Sequence, residues 1–259
     1  MPENPISVLI DNCVDGYSDV MEGARKPVTL QWGDIEINEH IVGYQRKQPR
    51  KPNEAWLQTQ IDCLPTVARL AQEGGLVLAS YSEIRFEGFQ RSGGFVGSFI
   101  GRLFQDVDLS KVSPAIERSR LYQMEFGSYI QRSAMIEFCE FLLELDEQLL
   151  LGTPKVAERF PEFELTNIRH LERFRALCRG LGKKQYPDAF HLWTGEVNGV
   201  DYFLTTDKKF IRAMTESKNV DLPCKPISPE VLLKELGITE RDEYPFDVDQ
   251  FYSIDGVSE

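Results

Sequence analysis

Three short hydrophobic runs, far apart in the chain, each lead into a carboxylate. Residues 6–10 end at Asp11-Asn12, residues 76–80 run into a turn carrying Glu83 and Glu87, and residues 202–206 end at Asp207. A fourth acid, Asp188, is expected to open the helix before the last run. Clustered carboxylates repel one another and are costly unless a hard cation neutralises them; oxygen ligands of this kind suit Mg²⁺ or Mn²⁺. The elements that must position them follow from the runs themselves. Short β-branched and apolar segments are the mark of strands buried in a parallel sheet. Ligands of open α/β sheets sit beyond the carboxyl ends of the strands, so acids at three such ends are expected to converge.

Composition sets the frame. The chain has 259 residues, 42% hydrophobic and 27% charged, which suits one large globular domain or a domain with an added lobe. No apolar run approaches the ~20 residues of a membrane span, and Met1-Pro2-Glu3-Asn4-Pro5 has no positive region of the kind a secretory leader carries. A cytoplasmic protein without membrane contact is expected. The cysteines Cys13, Cys63, Cys139, Cys178 and Cys224 are scattered without a CxxC pair, and His40, His170 and His191 lack metal-ligand spacing. A zinc site or disulfide scaffold is therefore not expected, and no GxSxG elbow is present. The net charge of −12 disfavours a nucleic-acid partner at first sight. Residues 235–259, however, hold eight acids against one base and carry −7 of it. This stretch reads as a solvated acidic tail.

Along the chain, residues 6–11 form a first strand and 12–27 a loop or short helix. Residues 28–32 and 35–42 alternate as a hairpin around Gly33-Asp34. Residues 45–52 are a basic, proline-bearing loop. Residues 54–72 suggest a helix kinked or broken near Pro65, and 76–81 a second strand. Gly93, Gly94 and Gly97 imply a loop, 114–150 and 166–181 helices, 188–198 a helix ending at Gly199, 202–206 a strand, and 230–236 a short helix. The alternation predicts an α/β protein: three layers, α/β/α, around a central parallel sheet, with a mostly helical insertion.

The motif Ser7-Val8-Leu9-Ile10-Asp11-Asn12 resembles the opening strand of PIN-domain nucleases. Tyr186-Pro187-Asp188-Ala189-Phe190-His191-Leu192, running on through Gly199-Val200-Asp201-Tyr202-Phe203-Leu204-Thr205-Thr206-Asp207-Lys208-Lys209-Phe210, resembles a later stretch of the same family. This matches that family's Asp-opened helix and Gly-x-Asp-x-apolar-apolar-Thr-x-Asp strand end. Ile227-Ser228-Pro229-Glu230-Val231-Leu232 resembles its last strand and following helix. The resemblance spans about half of the chain. It frames residues 1–236 as a PIN-like domain with insertions at about 28–60 and 95–165, followed by the tail at 237–259.

The resemblance implies a metal-dependent ribonuclease, endonucleolytic, of the toxin or defence kind. It uses Mg²⁺ or Mn²⁺ and has an RNA substrate, with an antitoxin or other protein partner and a homo-oligomer as further expectations. Asp11, Asp188, Asp207 and Glu87 are the implied catalytic and metal-binding acids, with Glu83 as the alternative to Glu87, one turn earlier on the same helix face. Asp188, in a first helical turn, is expected to be held ionised by the helix dipole. Asn12 and Thr205 would hold the acids by hydrogen bonds.

Plainer readings stand beside these. An Asp after a strand is often a helix cap, as Asp207 could be; Asp201 suits shaping a turn, and His191 and Trp193 suit the core. Arg46, Lys47, Arg50 and Lys51 make one basic stretch. Arg169, Arg173, Arg175, Arg179, Lys183 and Lys184 make a second, and Tyr44 and Tyr186 lie nearby as stacking candidates. The rivals are a catalytically silent binding module and an aspartyl-nucleophile phosphatase. The phosphatase would want an acid where Cys13 stands. No helix-hairpin-helix signature of a structure-specific 5′-nuclease follows the core.

Overall fold

The computed structural model describes residues 5–91, 101–216 and 221–253. The leader reading at residues 1–4, the glycine-bearing loop at Gly93, Gly94 and Gly97, the start of the 95–165 insertion, and the final acids Asp255 and Glu259 lie outside them.

The protein is a three-layer α/β/α structure. Its central sheet is all-parallel and combines β1 (Ile6–Ile10), β4 (Leu76–Ser80), β5 (Ser110–Lys111), β6 (Tyr202–Leu204) and β7 (Lys225–Ile227), in the order β5-β4-β1-β6-β7. A second, antiparallel sheet holds β2 (Met21–Trp32), β3 (Ile35–Arg46) and β8 (Phe251–Tyr252), with β3 in the middle. Side chains of β1 alternate between two cores. Leu9 faces the helices Arg132–Glu144, Leu171–Cys178 and Tyr186–Val197; Val8 and Ile10 face Asn12–Ser18, Leu64–Gln72 and Pro229–Glu235. Burial on both faces is why β1, apart from Ser7, reads as an apolar run rather than an alternating one.

The chain first builds outward from β1 to β4 and β5, then returns to place β6 and β7 on the other side. The order therefore reverses between β1 and β6. Asp11 follows β1 and Thr205 follows β6, so both sit at this reversal, where the crossover loops diverge and leave a crevice.

Several expected elements are modified. The hairpin is longer than 28–42: β2 and β3 pair from Met21↔Arg46 to Trp32↔Ile35, and Gln45 and Arg46 belong to the strand, not a loop. Gly33 takes φ +61° at its tip, the left-handed geometry that a two-residue turn with Gly first requires. The expected helix over 54–72 is two, Ala55–Ile61 and Leu64–Gln72, because Pro65 can sit only in a first turn. The helix over 166–181 divides at His170 into Glu162–Arg169 and Leu171–Cys178. Much of 114–131 is irregular or in short turns.

The acidic C-terminal stretch is not a solvated extension. Ile238, Tyr244 and Phe246 pack on the core beneath the β1–β4 face, and Tyr252 is buried there. β8 pairs with β3 through Tyr44↔Tyr252 and Gln45↔Phe251. Arg69 Nε donates to Asp242 at 2.9 Å, and the Asp242 amide donates to Thr66 Oγ1 at 2.7 Å. The charge count hid the apolar residues spaced among the acids. No helix among the described residues is long and apolar enough to cross a membrane.

The docking of β8 gives a test. A Cβ on Gly43 would overlap the Tyr252 carbonyl oxygen and the Phe251 ring, whereas one on Gly23 would meet nothing within 4 Å. Gly43→Ala is expected to lower stability by about 1–3 kcal/mol, as overpacking does, and to open residues 244–253 to protease. Gly23→Ala is expected to leave both the melting temperature and that cleavage close to wild type.

Candidate functional site

Asp11 occupies the cap position of helix Asn12–Ser18, yet its carboxylate makes no capping hydrogen bond. It is buried, and Oδ2 instead accepts from Thr205 Oγ1 at 2.6 Å and from the Cys13 thiol at 2.8 Å. Burial, with the adjacent Asp11 charge, pushes the Cys13 thiol well up, so Cys13 is a proton donor here. Asn12 is buried beside Asp11, and helix Ser82–Arg91 passes close to it at Gly88, where a Cβ would stand in ordinary contact 3.5 Å from Asn12 Oδ1.

Asp188 lies in the first turn of helix Tyr186–Val197, whose start is fixed by Pro187. It is 9% exposed, and its Oδ2 is buried with no hydrogen-bond partner. Burial first, then the charge of Asp11, push its carboxyl up to about 8; Glu87 adds to the shift, while His191 and Arg132 oppose it. The expected ionised Asp188 is thereby corrected. A surface helix dipole contributes about 0.3–1 kcal/mol, too little to offset loss of hydration beside a second carboxylate.

Glu87 reaches His191, with Oε1 3.3 Å from Nε2. The other imidazole nitrogen, Nδ1, is 2.6 Å from the Tyr81 hydroxyl. Burial alone would lower the His191 pKa. The hydrogen bond and charge of Glu87, helped by Asp11 and Asp188, outweigh it and leave the pKa raised, which favours the imidazolium. His191 is both a core residue, against the Phe203 ring, and a counter-charge for the acids. Its position three residues after Asp188, on the same helix face, was the sequence signal for this.

The remaining acids are occupied elsewhere. Glu83, though one turn from Glu87, turns into the core, where Arg118 Nη2 donates to Oε2 at 2.7 Å and the Tyr129 hydroxyl to Oε1 at 3.1 Å. Asp207 caps helix Lys208–Glu216, Oδ1 accepting from the amides of Lys209 and Phe210 at 2.9 Å each. Its own amide donates to Thr205 Oγ1 at 3.1 Å, one hydrogen bond removed from Asp11. Asp201 fastens β6 to β1, with Oδ2 accepting from the amide and hydroxyl of Ser7. Among the described residues, no three carboxylate, imidazole or thiol groups converge closely enough to hold a metal ion as they stand. The orphaned Asp188 oxygen beside Asp11 is nonetheless the feature a cation would satisfy.

A cleft of about 960 Å³ runs from Asn12 and Gly88 past Tyr17 to Arg46, Lys47, Arg50 and Lys51, with Arg102 on its wall. Not all these cations are equally presented. Arg46 lies over the Tyr244 ring at 3.7 Å and donates to the Phe246 carbonyl, and Lys47 donates to the Asp19 carbonyl. Arg50 stands 5.3 Å from the centre of the Tyr17 ring, and Lys51 is exposed. The second basic stretch is largely consumed by ion pairs: Arg169 with Glu162, Arg173 with Glu196, Arg175 with Glu147 and Glu172, and Lys183 with Glu140. Arg179 and Lys184 are exposed. Tyr44 and Tyr186 pack against the two cores.

Comparison with protein-family models, with curated proteins and with solved structures returns no match.

Two outcomes follow from this geometry. Between about pH 4 and pH 8 an unfolded Asp188 is ionised, while the folded one keeps its proton. The folded state then binds more protons, so stability falls as pH rises through that window. In EDTA, urea unfolding is expected to show wild type losing stability from pH 5 to pH 8 and Asp188→Asn losing markedly less. The second concerns Glu83, whose carboxyl burial pushes up despite Arg118. Arg118→Met is expected to cost about 3–5 kcal/mol, because it leaves a buried acid without its partner. Glu83→Gln added to it should recover a large part of that loss in the same measurement.

Proposed function

We propose that this chain is a PIN-like, divalent-metal-dependent ribonuclease that cuts RNA endonucleolytically. The observation that carries the reading is the buried, unpartnered Asp188 oxygen beside Asp11 at the reversal point of the sheet. A folded chain has little reason to keep two carboxylates together out of water unless a cation joins them. Asp11 and Asp188 would hold Mg²⁺ or Mn²⁺ directly, with Glu87 beside them. Asp207, committed to its helix cap, would act through Thr205. When bound, the ion would supply positive charge for the attacking oxygen and the phosphoryl transition state.

The chain's own residues have definable parts in this. Thr205 and Cys13 fix the orientation of Asp11 by donating to one oxygen, leaving the other for a cation. His191, held by Tyr81, keeps Glu87 in place and offsets part of the negative charge. The cleft supports a single-stranded RNA path: Arg50 and Lys51 for phosphates, and Tyr17 as a surface on which a base can stack. A cytoplasmic setting and a protein partner such as an antitoxin belong to the same proposal.

One observation favours a second reading, a catalytically silent binding module: no three ligand groups converge among the described residues. Incubation of labelled single-stranded RNA with Mn²⁺, with Mg²⁺ and with EDTA separates the two. The nuclease reading expects metal-dependent cleavage, reduced at least about hundredfold in Asp11→Asn and in Asp188→Asn. In Asp207→Asn the loss should be smaller, since Asn also caps. Arg50→Ala/Lys51→Ala should weaken RNA binding and lower the slope of log affinity against log salt by about one for each phosphate that the removed cations had neutralised. RNA binding without cleavage under all three conditions would favour the module.

A further inference from the structure

The β2–β3 hairpin projects as a two-stranded ribbon, and its two faces differ. Cross-strand partners share a face, so the register places Lys26 with Ile41, Val28 with Glu39, Leu30 with Ile37, and Trp32 with Ile35 on one side. The other side holds Arg25 with Val42, Pro27 with His40, Thr29 with Asn38 and Gln31 with Glu36, and Val42 is its exposed large apolar residue. The first face is a strip of large apolar side chains with one base and one acid toward its foot. It is open to solvent: Trp32 is 79% exposed, Ile35 65% and Leu30 52%. A two-stranded ribbon is at best marginally stable alone in water, and an apolar patch of this extent marks an interaction surface.

We propose that this face is a dimerisation arm whose partner is a second copy of the chain. The inference is independent of the metal reading. Its first support is self-complementarity, which a two-fold interface demands. Consider two ribbons facing each other about a two-fold axis parallel to their length. Each β2 then lies across from the partner's β3, row by row. Leu30 meets the partner's Ile37, Trp32 meets the partner's Ile35, and Lys26 falls one row from the partner's Glu39. Both apolar rows at the tip find apolar rows. Lys26 lies across from the partner's Ile41 and Glu39 from the partner's Val28, and each neighbours an opposite charge diagonally, with the Lys26 ammonium 5.5 Å from the centre of its own Phe251 ring.

The second support is area. Trp32, Ile35 and Leu30 are more than half exposed and Ile37 and Ile41 more than a third, so two such faces approach the lower end of specific interfaces, about 1,200 Å² in total. That size implies a reversible, concentration-dependent dimer rather than a permanent one. The third is that edge-to-edge pairing is blunted. Pro27 interrupts the outer strand β2, which leaves the face as the accessible surface.

Sedimentation velocity of the full chain over about 1–100 µM tests this. The wild type should pass from 29.7 kDa toward twice that mass. Leu30→Glu/Ile37→Glu, on solvent-exposed positions, should stay monomeric at every concentration while melting as wild type does. Glu39→Lys should weaken association about tenfold by setting like charges together, and Lys26→Glu added to it should restore wild-type association. A wild type that is monomeric throughout would overturn the proposal and leave the face to a different protein. A dimer that survives Leu30→Glu/Ile37→Glu would overturn it by placing the interface elsewhere.

Discussion

The loss of hydration at Asp188, with the charge of Asp11 second to it, organises the region around the two acids. Both carboxylates are buried at the carboxyl end of the central strands, and one oxygen of Asp188 has no partner. Two like charges in a poorly hydrated site cannot both persist without compensation, so in the protein alone Asp188 is pushed toward its neutral form. The neighbours then divide the remaining work. Thr205 and Cys13 donate to Asp11, Glu87 raises the His191 pKa and so favours a positive charge beside it, and Arg132 opposes the shift on Asp188 from outside the parallel sheet. Such an arrangement lowers stability while keeping a poised negative site, and perturbed carboxylates of this kind cluster where proteins function.

Topology decides why these residues meet. Asp11 and Thr205 are 194 positions apart in the chain but adjacent beyond β1 and β6, at the one place where the strand order reverses. Asp188 reaches the same place because its helix packs across β6 on the Leu9 face, with Phe190 and Trp193 in the core anchoring it. Glu87 arrives from a third direction, on the helix that follows β4. The expected 95–165 insertion acts on the acid cluster through the charge of Arg132 on Asp188, and supplies Arg118 and Tyr129, which hold Glu83 inward and so settle which of the two glutamates on one helix face turns toward His191.

The layered fold and the strand ends were legible because buried parallel strands leave a plain sequence mark: apolar runs at 6–10, 76–80 and 202–204, each followed by polar residues. The position of Asp11 followed from that, and that of Asp188 from the helix start marked by Pro187. Their charge states did not, because the sum of burial, like charge and helix dipole depends on distances that spacing cannot supply. Asp207 shows the same limit. Its place after a strand and before a helix fits a ligand and a cap equally, and the amides of Lys209 and Phe210 claim one of its oxygens. The C-terminal stretch misled for a different reason: eight acids dominate its composition, while Ile238, Tyr244, Phe246 and Tyr252 decide where it lies. The basic run at 169–184 likewise looked like a surface for phosphates, yet Arg169, Arg173 and Arg175 have carboxylate partners contributed by distant or neighbouring helices.

If the acid pair is built for a cation, binding must expel the proton that Asp188 holds in the free protein. Calorimetric titration of Mn²⁺ or Mg²⁺ into the protein at pH 7, repeated in buffers of different ionisation enthalpy, counts that proton. Binding with release of close to one proton, lost in Asp188→Asn, is the expected result. No binding, or binding that releases no proton and persists in Asp188→Asn, would contradict a metal site at Asp11 and Asp188.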